Sequence, residues 1–203
     1  MRVLIAGASS ALGIASAAAL ESAGHDVIAV GSDAGRLDAV PARSREVCDL
    51  TDATQVQALA TRVGPLDGLL HLVGGWRGGG GLAGQSDDDW RWLETRIIGT
   101  LRNTTRAFLP ALAASPVARI AIVSTTGLAK PTAGNANYLA AKAGAEAWLE
   151  AVGQALRDTG GTVHIERVMA LVSAVDREAN PDRDFSRHTD VEQLATRFVA
   201  LWP

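Results

Sequence analysis

The chain has one cysteine, Cys48, and one tyrosine, Tyr138, and only 4% of its 203 residues are aromatic. A single thiol cannot close an internal disulfide, so packing alone must hold the fold, and a cytoplasmic setting is the expectation. Blocks of like charge are missing too: Lys+Arg number 19 and Asp+Glu 22, for a formal charge of -3 with the signs interspersed. That excludes a basic stripe for nucleic acid and a polybasic membrane patch, and leaves small uncharged or anionic molecules as the expected partners. No apolar run is long enough to span a membrane, and MRVLIAGASS (1 to 10) is too short in its apolar part for a signal peptide. No metal site is expected. No Pro/Ser-rich linker divides the chain, and its 47% hydrophobic content suffices for one core, so residues 1 to 203 are read as a single domain.

What is present is an alternation. Short apolar, often β-branched runs stand at 3 to 6, 26 to 30, 46 to 48, 68 to 73, 119 to 124 and 163 to 168. Between them lie segments of helical period near 11 to 23, 52 to 63, 87 to 114 and 136 to 157, with a last helix near 190 to 202. Asp52 and Ser86 or Asp87 are the expected N-caps. Repeated βαβ units predict an α/β fold, a doubly wound and mostly parallel sheet of about six strands. Its ligand crevice should lie beyond the carboxyl ends of the strands.

The loop AGASSALG (6 to 13) leaves the first strand and opens the first helix. Gly7 and Gly13 suit a tight turn beside a pyrophosphate, whose charge the helix N-terminus favours. Ala11 takes the place of a middle glycine, which a negative φ would permit. With CDLTD (48 to 52), DGLLHLVGG (67 to 75) and YLAAK (138 to 142), this loop resembles the ordered motifs of the short-chain dehydrogenases/reductases over most of the chain. The resemblance implies a Rossmann-like NAD(P)-binding domain. It assigns Gly7, Ser9, Ser10, Ala11, Leu12, Gly13, Ser32, Asp49, Leu50, Val73, Gly74 and Gly75, with Tyr138 and Lys142, to the cofactor.

Reduction by hydride needs a proton donor beside the developing anion. The resemblance makes Tyr138 that acid and Lys142, one helical turn on, the cation that favours its phenolate and binds ribose. Thirteen residues before the tyrosine stands Thr125, taken as the auxiliary hydroxyl donor in VSTTG (123 to 127), with Ser124 and Thr126 as near substitutes. The family's asparagine after strand four is absent, and alignment on Gly99 puts Arg96 there. His71 and Leu72 replace amides, and a histidine so placed is expected to be a satisfied core residue.

The segment VGGWRGGGG (73 to 81) and the stretch near NPDRDFSRH (180 to 188) also resemble dihydropteridine reductase, a branch that keeps the Tyr/Lys pair without the serine and asparagine. Together these imply an NAD(P)-dependent reductase of a small carbonyl or pterin-like substrate, touched by Trp76 and Arg96. Gly78 to Gly81 would hinge a lid carrying Trp76 and Arg77. VGSDAGR (30 to 36) has neither the acid of an NAD enzyme nor an arginine at the usual position, and tilts the reading to NADP. Ending at LATRFVALWP implies no seventh strand, and 140 to 156 offers small residues for a homodimer or homotetramer. The other reading is a catalytically silent relative, binding nucleotide or protein as a sensor or assembly partner.

Overall fold

The computed structural model describes residues 1 to 202; Pro203, the last residue of the predicted domain, lies outside the described residues. The six apolar runs form strands β1 (Arg2–Ala6), β2 (Asp26–Gly31), β3 (Ser44–Val47), β4 (Gly68–His71), β5 (Arg119–Thr125) and β6 (Thr162–Val168). They make one sheet in the order β3-β2-β1-β4-β5-β6, and every pairing is parallel. β1, β2 and β4 read as unbroken apolar runs because both their faces are covered.

Helices cover those faces. α1 (Ala11–Ser22), α2 (Ala34–Leu37), α3 (Ala53–Val63), α4 (Asp87–Leu93), α5 (Thr100–Ala113), α6 (Ala136–Ala155), α7 (Ala174–Ala179) and α8 (Val191–Val199) follow in chain order. One buried cluster, holding Leu69, Leu93, Phe108, Ile120 and Leu149, lies between the sheet and α3, α5 and α6. A second, holding Ile5, Leu20, Val27, Leu194 and Phe198, lies under α1 and α8. Burying each such leucine or phenylalanine contributes about 1.5–3 kcal/mol, so both faces help hold the sheet.

The capping expectations hold. Asp52 accepts from the backbone N–H of Thr54 and Gln55, and Ser86 from that of Asp89. The predicted helix over 87 to 114 runs continuously from Asp87 to Ala113, but residues Glu94–Gly99 in its middle wind as a wider π turn between α4 and α5. Such turns carry an extra residue per turn and re-aim the side chains on them. Short elements went unpredicted: α2, α7, and a parallel pair β7 (Leu171–Val172) and β8 (Thr189–Asp190). They are too brief to show a hydrophobic period.

Candidate active site

The turn after β1 forms the floor. Gly7 sits at φ +81, and a Cβ there would come within 3.1 Å of the Leu72 and Val73 backbone. The ends of β1 and β4 are therefore held together at a place only glycine fits. Ser10 caps α1: its hydroxyl accepts from Gly13 N at 3.0 Å and donates to Gly7 O at 2.9 Å. The remaining N–H groups of the first turn stay free for an anion. Gly13 does not line the cleft. A Cβ on it would lie 2.4 Å from Ala8 O, so this glycine seats the helix on the turn. Ala11, as the negative-φ condition required, sits in the helix, and among the described residues no non-glycine residue has positive φ.

A cleft of ≈ 600 Å³ runs from this turn across the carboxyl ends of the strands. Ser9, Ser10, Ala11 and Leu12 border it first, then Ser32 after β2 and Asp49 and Leu50 after β3. Val73, Gly74, Gly75 and Trp76 follow β4, and Arg96, Tyr138 and Lys142 close the far end. Ser124 lines the wall; Thr125 does not. Arg36, beyond the usual arginine position, also reaches the cleft, where its guanidinium donates to Ser9 O at 3.4 Å. Its neighbour Asp33 is used up as the N-cap of α2, accepting from Arg36 N at 3.0 Å. The carboxylate of Asp49 accepts from Thr51 N at 2.9 Å and Thr51 Oγ1 at 2.7 Å.

At the far end Tyr138 occupies the first turn of α6 and Lys142 the next. Lys142 is only 8% exposed; its ammonium donates to Val123 O at 2.8 Å and lies 5.8 Å from the centre of the Tyr138 ring. Gly74 faces it, with Nζ 3.8 Å from where a Cβ would start. Burial lowers the Lys142 pKa to about 8, with Glu146 pulling it back up. The expectation that Lys142 depresses Tyr138 is not met. Burial pushes the phenol above 10.0, against the opposing influence of the Thr125 hydroxyl. In the protein's own field Tyr138 is thus a protonated phenol. Thr125 Oγ1 also accepts from Gly127 N at 3.0 Å, which orients it.

His71, at the end of β4, departs from expectation. It is buried and borders the cleft, but its Nε2 has no hydrogen-bond partner. Burial first, and Lys142 second, lower its pKa to about 3, so the imidazole is neutral. Thr100, on α5, borders the same space and carries no sequence motif.

The glycine-rich loop is not a free hinge. Gly79 N donates to Gly134 O at 2.7 Å, and the Gln85 amide donates to the carbonyls of Gly79, Gly81 and Gly134. Gly75 and Gly78 answer to close contacts, while Gly79 and Gly81 hold positive φ with open space around them. Gly75 has φ +148, and a Cβ there would lie 2.3 Å from the Trp92 ring; one on Gly78 would lie 2.6 Å from Gly134 O. Trp76 projects from this loop 60% exposed at the cleft mouth.

Strand order and a cleft over the carboxyl ends of the strands define a doubly wound nucleotide-binding domain. Residues 1–183 match the family model for short chain dehydrogenases, and the chain belongs to that family. An oxidoreductase of Mycobacterium tuberculosis is 36% identical over 143 residues, covering 68% of this chain and 57% of the relative. The chain therefore spans little more than half the length of that relative. A ketoacyl reductase of a monensin polyketide synthase from Streptomyces virginiae is 32% identical across 98% of this chain and 82% of its own. Among solved structures, an NADPH-bound short chain oxidoreductase from Pseudomonas aeruginosa, described as containing an atypical catalytic center, shares the fold. Its TM-score is 0.86 at 24% identity, over 98% of this chain and 88% of that one.

Proposed function

We propose that the chain is a cytoplasmic NAD(P)H-dependent reductase of a small carbonyl compound, with Tyr138 as the acid and Lys142 as the cation behind it. The observation that carries this reading is the cleft itself: free helix N–H groups at one end and a one-turn Tyr/Lys pair at the other. The residues fit a dinucleotide. The N-terminus of α1 suits a pyrophosphate, Gly7 clears a flat path, and Gly74 leaves open the approach to Lys142. A bound reduced nicotinamide would supply the hydride.

Tyr138 then gives its proton to the alkoxide that forms, a task for which a buried, protonated phenol is suited. Lys142, an ammonium below about 8, offsets the charge left on the tyrosine oxygen and holds its place through Val123 O. Thr125 acts as the auxiliary hydroxyl, setting the tyrosine. Arg36 beside Ser32 and Ser10, with Asp33 engaged elsewhere, favours NADP(H) over NAD(H). The printed activity of the ketoacyl reductase relative supports a carbonyl substrate. A planar pterin-like ring, as in dihydropteridine reductase, is the second reading; the exposed indole of Trp76 at the cleft mouth favours it by offering a stacking surface. Pairing of α5 and α6 between copies, as a homodimer or homotetramer, completes the proposal.

The test is titration of tryptophan emission with NADPH and NADH, followed by reduction of a ketone panel. Micromolar binding, about 8 kcal/mol, is expected, with turnover falling about two to four orders of magnitude in Tyr138→Phe. No binding at millimolar cofactor, or a fully active Tyr138→Phe protein, overturns the reading.

A further inference from the structure

The substrate end of the cleft carries a cation with no charge to meet. Arg96 sits in the π turn Glu94–Gly99 and borders the cleft, its guanidinium 4.9 Å from the centre of the Trp92 ring. Arg77 stacks on the same ring at 4.3 Å, but its charge is met by Asp89 Oδ1 at 3.1 Å. Among the described residues no carboxylate forms an ion pair with Arg96. Among the described residues the acidic side chain bordering this end is Asp176, whose Oδ2 accepts from Ser173 N at 2.9 Å and Ser173 Oγ at 2.7 Å in the cap of α7 and so keeps its charge. Two cations, Arg96 and Lys142, stand against that single carboxylate and leave this end of the cleft net positive.

Arg96 is solvent-exposed, but its guanidinium rests on a packed ring: Gly75 lets the loop after β4 close onto Trp92, which lies half-buried beneath it. A stacked arginine loses less freedom when it binds, and its planar fork matches a carboxylate in two parallel hydrogen bonds. Resting on the reductase reading above, we infer that Arg96 on Trp92 is a carboxylate subsite, and that the substrate is a keto acid whose carboxylate binds there while Tyr138 protonates its ketone oxygen.

Three matched pairs test this and measure the spacing: pyruvate, acetoacetate and levulinate, each against its methyl ester, in NADPH oxidation by the intact protein. At the fitting chain length the acid is expected to exceed its ester in kcat/KM by about tenfold or more. Arg96→Leu should cut the acid's kcat/KM at least about ten times further than the ester's, and Arg96→Lys should restore part of the difference. A second readout does not need turnover. With NADPH bound, the acid but not the ester should change tryptophan emission, and Arg96→Leu should abolish that change; a thermal melt checks that the variant is folded. If carboxylates titrate through Arg96 yet no ketone is reduced, the subsite stands and the reductase reading falls. If esters are reduced as well as acids at every spacing, or Arg96→Leu affects both equally, the subsite falls and the reductase reading survives.

Discussion

Replacing Lys142 by methionine should stabilise the isolated protein at neutral pH, and by an amount that shrinks as pH rises. The ammonium is buried, and its pKa falls from 10.5 to about 8 because burial disfavours the charge. At about 1.4 kcal/mol per pH unit, the folded state carries a penalty of about 3 kcal/mol wherever both states are protonated. Methionine removes that penalty but leaves Val123 O without its donor, a loss of about 1–3 kcal/mol, so the net gain at neutral pH is about 0–2 kcal/mol. The pH dependence isolates the charge term. Below about pH 8 the penalty is whole; between about 8 and 10.5 the folded protein releases the proton while the unfolded chain keeps it, so the wild type gains stability. From about pH 6.5 to about pH 9.5 the variant's advantage should fall by about 2 kcal/mol, which is about 4–8 °C in relative Tm for a domain of this size. Parallel thermal melts of both proteins across that range cancel every other titration. A difference in Tm that stays constant, or grows with pH, refutes the account of a charged lysine held against its solvation.

Gly13→Ala should lower Tm even without ligand, because the new methyl lies 2.4 Å from a backbone oxygen and cannot relax by rotating; a loss of about 1–3 kcal/mol is expected. An unchanged melt would show that α1 can lift freely from its turn. Arg36→Ala is expected to raise the KM for NADPH about tenfold, the equivalent of about 1.4 kcal/mol, and that for NADH far less. Equal effects on both cofactors would remove Arg36 from phosphate recognition. His71 should contribute no ionisation between pH 5 and 8, since its pKa lies near 3. A histidine Cε1 NMR signal from His71 that titrates near the ordinary 6.5 would contradict its burial. Sedimentation at tens of micromolar should show dimers or tetramers, and a monomer alone would sink pairing through α5 and α6.

The chemistry of this site is divided between groups that motifs announce and groups that only folding assembles. Tyr138 and Lys142 are four residues apart on one helix, so their proximity follows from the helical repeat alone. The six strands and their order of helices were likewise legible, because β1, β2 and β4 are buried on both faces and display it as uninterrupted apolar runs. Asp52 and Ser86 announced their helix starts for the same local reason: a cap contacts residues two or three positions on.

Tertiary structure decided what depends on distant neighbours. Whether Tyr138 is a phenol or a phenolate rests on how deeply α6 buries it and on where Lys142 spends its hydrogen bond, and Val123 lies on another element. The run VGGWRGGGG reads as a lid on a hinge, yet Gly75 and Gly78 serve close contacts with Trp92 and Gly134, which are remote in sequence. Gly13 reads as a phosphate glycine, but the carbonyl of Ala8 makes it a packing one. Arg36 matches no motif, and Arg96 is marked only by standing where the family's asparagine is missing; the short helix and the π turn that bring them to the cleft are too brief to leave a periodic signal. Periodicity and local capping are properties of neighbouring residues, and the chain carries them in its order. Burial, close approach and the pairing of charges are properties of surfaces that meet only when the sheet has closed.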